Sequence, residues 1–133
     1  TPVAKGKLPA GSAGVGDESV LKNNVWVWKK TEFTNGNVTV TPKMADKFTI
    51  TFGDDDRISG TTDCNGFFGS YTRGSDGIIN FGALGSTMMY CDGSQESAFM
   101  NDVSEAARYT FDESGNLIFI LKKNAGKVFF VKK

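Results

Sequence analysis

Histidine is absent from these 133 residues. That absence removes the side chain most often used as a general base near neutral pH and as a metal ligand. No Ser-His-Asp or Cys-His site can be assembled from this chain alone, although carboxylate pairs and Ser-Lys arrangements stay open. Net charge is absent as well, since 15 basic residues balance 15 acidic ones. Nucleic-acid affinity rests largely on a basic surface that neutralises phosphates, and no basic cluster here exceeds a pair. Nucleic acid is therefore not an expected partner, and an anionic membrane surface is not expected to hold the chain by charge. No apolar run approaches the ~20 residues of a membrane span.

The length fits one domain. A chain of this size buries about two-thirds of the surface that its unfolded form exposes, so a core can form without a metal. Eleven Phe, three Tyr and two Trp supply it. The start differs in texture. The chain opens on Thr1 rather than Met, and residues 1–20 are rich in Gly, Ala, Ser and Pro with few bulky side chains. Such a segment buries too little apolar surface to offset its ordering entropy. It reads as a flexible lead-in, an expression remnant or a tether left by export processing, ahead of a domain over 21–133.

Within that domain most of the texture is β. "VWVWKKTEF" puts Trp26 and Trp28 on one side of a strand, and Asn35-Gly36 then marks a hairpin. "KFTITF" alternates cleanly, with Phe48, Ile50 and Phe52 on one face. Further strands are expected at "RISG", "FFGSYT", "IINFG", "LGSTMMYC", "NLIFIL" and "KVFFV". One helix is expected over "SQESAFMNDVSEAARY", with Phe99, Val103, Ala106 and Ala107 facing the sheet. Its other face should carry Asn101, Asp102 and Glu105 in solvent. Asp92 with Gln95, or Ser94 alone, would cap its first turn. About eight short strands joined by tight turns imply an antiparallel meander curled into a half-open barrel with the helix packed on it, a mainly β, α+β fold.

The two cysteines, Cys64 and Cys91, offer no metal-ligand spacing. An acid rather than a base flanks each, so neither is activated as a nucleophile. They read as a disulfide, with two buried free thiols as the alternative. A bridge would add roughly 3 kcal/mol in the chain-entropy description and would imply an oxidising compartment. Asn65-Gly66 would then supply permissive backbone for a turn directly after the bridge. Asp54, Asp55 and Asp56, with Asp63, lack calcium-loop spacing and read as a solvated turn. One of Met88 and Met89 should face the core. Asn37-Val38-Thr39 fits the glycosylation sequon, a pattern common by chance. Gly66, Gly69, Gly82 and Gly85 read as bulges or bends. No catalytic, cofactor or metal residues are assigned.

Four ordered blocks, "ISGTTDCNGFFGSY", "INFGALGSTMMYC", "ESAFMNDVSEAARYTF" and "GNLIFI", resemble the META domain, also called HslJ-like. The resemblance runs from about Leu21 to Lys133. It places Trp26 (or Trp28), Cys64, Asn65, Gly69, Tyr71, Thr87, Met89 and Cys91 at signature positions, all structural in aspect. Asp63 departs from the small residue usual before the Cys-Asn pair. The resemblance implies a β half-barrel with one helix in bacterial envelope or secreted proteins, many of them lipoproteins. Members are associated with heat shock, novobiocin resistance and, in some parasites, virulence, and no enzymatic activity is established for the domain. The expectation is a monomeric, non-catalytic exported module with a stress-tolerance or binding role, its partner an unidentified protein or small hydrophobic ligand. It would have no cofactor, and a lipid anchor upstream of Thr1 would fit. The alternatives are a carrier of a small hydrophobic ligand in the barrel, an inhibitor or partner of another envelope protein, and an enzyme that works with carboxylates.

Overall fold

A computed structural model describes residues 15–133, with side chains from residue 19 onward. Ten strands follow one short helix: β1 (Val25–Phe33), β2 (Val38–Val40), β3 (Thr49–Phe52), β4 (Arg57–Thr61), β5 (Gly66–Arg73), β6 (Ile79–Phe81), β7 (Gly85–Ser86), β8 (Ala106–Phe111), β9 (Leu117–Leu121) and β10 (Gly126–Lys132). Helix α1 is Val15–Lys22 and helix α2 is Glu96–Ser104. The strands pair antiparallel in the order β6-β5-β4-β3-β1-β10-β9-β8, with β2 added to β1 and β7 to β5. Two meanders, β3 to β6 and β8 to β10, are thus joined through β1, and α2 lies between them in the chain. The sheet curls until its two ends nearly meet. A single bridge, Ile78 to Arg108, and a hydrogen bond from the Arg73 guanidinium to the Tyr109 hydroxyl (2.8 Å) span the unsealed seam.

Alternation builds the interior. Phe48, Ile50 and Phe52 all face inward and are buried, as are Leu117, Phe119 and Leu121 on β9 and Val128 and Phe130 on β10. The rings interlock, with centroids 4.9 Å apart for Phe119–Phe130, 5.0 Å for Trp28–Phe48 and 5.1 Å for Phe52–Tyr71. Edge contacts of this kind are favourable beyond the area they bury. These rings belong to one continuous core of buried side chains inside the barrel.

Strand β1 breaks the rule of alternation to good effect. Strict alternation would carry Lys30 and Glu32 inward after Trp26 and Trp28. A register shift between Trp28 and Lys30 against β10 marks a bulge, which re-phases the strand. Both tryptophans stay inside, Thr31 turns inward and is fully buried, and Lys30 pairs with Glu32 at 2.7 Å on the outer side.

Several sequence expectations need correction. Residues 15–22 are helical where the lead-in was expected to run to residue 20. Leu21 is fully buried there and its carbonyl accepts the Trp26 indole N–H at 3.1 Å. The rest of the expected lead-in, residues 1–14, lies outside the described residues. Helix α2 stops at Ser104, and Ala106 and Ala107 begin β8 because pairing with β9 outcompetes their helix preference. Phe99 and Val103 are buried and Asn101 and Glu105 exposed, but Asp102 is buried rather than solvated. "LGSTMMYC" forms a strand only at Gly85–Ser86, and neither Met88 nor Met89 faces the core. Asn65 and Gly66 do not adopt the left-handed backbone expected of a permissive turn. By contrast Gly36, at φ 79°, does turn the β1–β2 connection.

Candidate functional site

Three segments converge at one end of the barrel: the β4–β5 turn (62–65), the connection after β7 (87–92), and the start of α2. Cys64 and Cys91 are joined by a disulfide with Cα atoms 5.8 Å apart. Bonded in this way they offer neither a nucleophile nor a metal ligand. Beside the bridge Asn65, 6% exposed, uses its whole side-chain amide. Its Nδ2 donates to the Met89 carbonyl (3.1 Å) and to Glu96 Oε2 (3.0 Å). Its Oδ1 accepts from the Met89 N–H (3.0 Å) and the Thr87 hydroxyl (2.7 Å). An asparagine carries two donors and two acceptor sites, and here every one is filled. Its role is a cross-link and not a turn-former.

Glu96 completes the knot. Its Oε1 accepts from the Thr62 hydroxyl (2.6 Å) and from the Asn65 backbone N–H (3.1 Å). The adjoining first turn of α2 has no cap from Gln95 itself. Instead Ser94 Oγ accepts the Glu96 N–H at 3.0 Å, and Asp63 Oδ2 accepts the Gln95 N–H at 2.9 Å. Ser94 also donates to Asp63 Oδ1. Two orphan amides are thereby satisfied, and acid charge sits at the positive end of the helix dipole. The departure of Asp63 from the usual small residue thus gives this chain a cap supplied from a distant turn.

The knot pins the backbone of 87–91 while its side chains project outward. Met88 is 93% exposed, Met89 66% and Tyr90 87%. Three consecutive large apolar side chains in solvent form an unusual surface for a folded domain.

A second polar path runs through the interior. The Trp28 indole N–H donates to Thr31 Oγ1 (3.0 Å), which donates to Asp102 Oδ2 (2.9 Å). Burial pushes the Asp102 carboxyl up from its ordinary range, and the Thr31 hydrogen bond opposes that shift. Among the described residues no group of three metal-ligating side chains occurs, and Asp54, Asp55 and Asp56 form an exposed turn. A shallow open groove lies outside the barrel, lined by residues that include Phe33, Val38, Lys123 and Asn124.

Of the residues singled out from sequence, Cys64, Asn65, Thr87, Met89 and Cys91 come together here. Trp26, Gly69 and Tyr71 do not: they pack the barrel wall and interior, where a Cβ on Gly69 would meet the Leu84 side chain at 2.7 Å. Thr62, Glu96 and the Thr31–Asp102 pair were not singled out as a site. The only available signal for Glu96 was its place at the helix start.

The META domain family matches residues 19–133. The chain belongs to the META domain family. Its fold is shared by a protein from Burkholderia xenovorans solved by NMR, at 22% identity and a TM-score of 0.73, covering 100% of this chain and 97% of that one. A DUF4847 family protein from Bacteroides vulgatus is also similar, at 15% identity and a TM-score of 0.66, covering 86% of this chain and 95% of that one. At these identities the likeness speaks for the fold of this META domain alone. No curated protein sequence matches it. Among the described residues no helix is long and apolar enough to cross a membrane.

Proposed function

We propose that this META domain is an exported, non-catalytic binding module of the bacterial cell envelope, which holds a protein partner on Met88, Met89 and Tyr90 in support of stress tolerance. The observation that carries the reading is the exposure of these three side chains on a backbone tied down by Asn65 and the disulfide. A mobile loop would lose entropy on docking, whereas a pinned one has that cost behind it. The disulfide supports export, because such bonds persist in oxidising compartments. The interlocked rings in the barrel weigh against the carrier alternative, which would be left with the shallow groove beside Phe33. A monomer, with a lipid anchor ahead of Thr1, fits the same reading.

The test is complementation in the source bacterium. A deletion strain should regain heat tolerance with the wild-type gene but not with the Met88→Ser, Met89→Ser, Tyr90→Ser triple variant, at equal abundance and equal Tm. Full rescue by the triple variant would remove the proposed face. Alkylation of cells before lysis should find both thiols blocked, and two free thiols would remove the export claim.

A further inference from the structure

With both cysteines bonded, the sulfurs of this chain still open to mild two-electron oxidation are its four methionines. Their environments differ sharply. Met100 is partly buried against the core and Met44 is half exposed, whereas Met88 and Met89 stand out at 93% and 66%. The backbone beneath them does not depend on their side chains. Both the N–H and the carbonyl of Met89 are held by the Asn65 amide, the Thr87 N–H donates to the Gly66 carbonyl (3.1 Å), and Cys91 is anchored through its bridge.

We propose that Met88 and Met89 form an oxidant-modification site, where peroxides convert the thioethers to sulfoxides and so turn the apolar face polar without loosening the fold. The proposal rests on the docking face described above and names its regulation. The chemistry balances with hydrogen peroxide as the oxidant. A thioether lone pair attacks one peroxide oxygen, the O–O bond breaks, and sulfur gives up two electrons to become the sulfoxide. The second oxygen departs as hydroxide and takes the proton from the newly formed S–OH, so one peroxide yields one sulfoxide and one water. The product is a polar acceptor in place of a flexible apolar tip. In a core this change disrupts packing. At Met88 and Met89, 93% and 66% exposed, there is little packing to disrupt, and what changes is the surface presented to a partner.

Folded protein would be treated with dilute hydrogen peroxide and sampled over time. Peptide mass spectrometry reads each methionine, thermal unfolding reads the fold, and retention on a phenyl column reads the apolar face. Met88 and Met89 should gain one oxygen each at least about tenfold faster than Met100 and ahead of Met44, in line with exposure control of oxidation. Tm should hold while retention falls, and the Met88→Gln, Met89→Gln variant should elute early without peroxide. Oxidation that begins at Met44 or Met100, a fall in Tm that tracks sulfoxide at Met88 and Met89, or unchanged retention after their conversion would each overturn the proposal. These readouts use no partner and no cells. A failed complementation test would therefore leave the oxidation order standing, and a failed oxidation order would leave the docking face standing.

Discussion

Exchanging Asn65 for aspartate changes one –NH2 to one oxygen and tests the knot with almost no change of shape. In the native chain Nδ2 donates to the Met89 carbonyl at 3.1 Å and to Glu96 Oε2 at 3.0 Å. In Asn65→Asp an acceptor faces two acceptors, one of them a carboxylate. Loss of the neutral bond costs about 1 kcal/mol and loss of the bond to the charged group about 1.5–3 kcal/mol. Repulsion between like charges adds to this, limited by the partial exposure of Glu96 and by proton uptake. The expected destabilisation is about 3–5 kcal/mol at pH 7.5. The new carboxyl has its folded-state pKa raised by that repulsion, so the folded state holds more protons than the unfolded one. Stability is then regained as the pH falls through that raised value. Urea unfolding of both proteins at pH 7.5 and at pH 5 reads the gap directly. A gap below about 1 kcal/mol at pH 7.5, or one that does not narrow at pH 5, would refute the description of Asn65 as a fully engaged cross-link.

Three further outcomes are expected. Phe99→Ala removes a fully buried ring that touches Trp28 and Phe48 at 5.2 Å each; urea unfolding should show a loss of about 3–5 kcal/mol. Asp102→Asn keeps an oxygen for the Thr31 hydroxyl and removes a buried charge. Because burial raises the folded-state pKa of Asp102, the native protein loses stability as the pH rises from the unfolded value through the folded one. The asparagine variant should accordingly melt higher than wild type at pH 7, with the advantage shrinking as the pH is lowered toward 4. Reduction of the Cys64–Cys91 bond, which closes a loop with a sequence separation of 27, should lower stability by about 3 kcal/mol. Hydrogen exchange at the Met89 amide should stay slow in the reduced protein, because Asn65 still holds it.

Where alternation alone decides, the sequence was readable. Phe48, Ile50 and Phe52 share the interior with Trp26 and Trp28 as their spacing requires. Legibility fails wherever a distant side chain intervenes. Nothing near Lys29 announces the bulge that turns Thr31 inward, because its reason is Asp102 on α2, 71 residues away. Asp102 falls on what looks like a polar helical face only when its buried partner is unknown. Ala106 and Ala107 are good helix formers, yet Tyr109 and Phe111 beyond them pair with Phe119 and Leu117 on β9 and draw the chain into a strand. Strand alternation stops before Met88 and Met89, and the Asn65 amide takes the Met89 N–H and carbonyl that a neighbouring strand would otherwise bind. The cysteine pair and the family blocks marked the place of the knot. Its wiring through Thr62 and Glu96 depends on geometry that spacing does not carry.

The position of β1 bears on when this protein can become itself. It is the first strand among the described residues, and seven of its residues pair with β10, the last of them. The Lys133 amide even donates to the Val25 carbonyl at 2.9 Å. Contacts between segments about a hundred residues apart close slowly, because the loop entropy is lost before the contact is gained. During synthesis β1 must therefore wait until β10 has emerged, with β2 and β3 as its sheet neighbours among the described residues in the meantime. A chain cut short before Gly126 would leave that wait without an end, and its product would offer the unpaired edge of β1 to whatever chaperone or protease met it first.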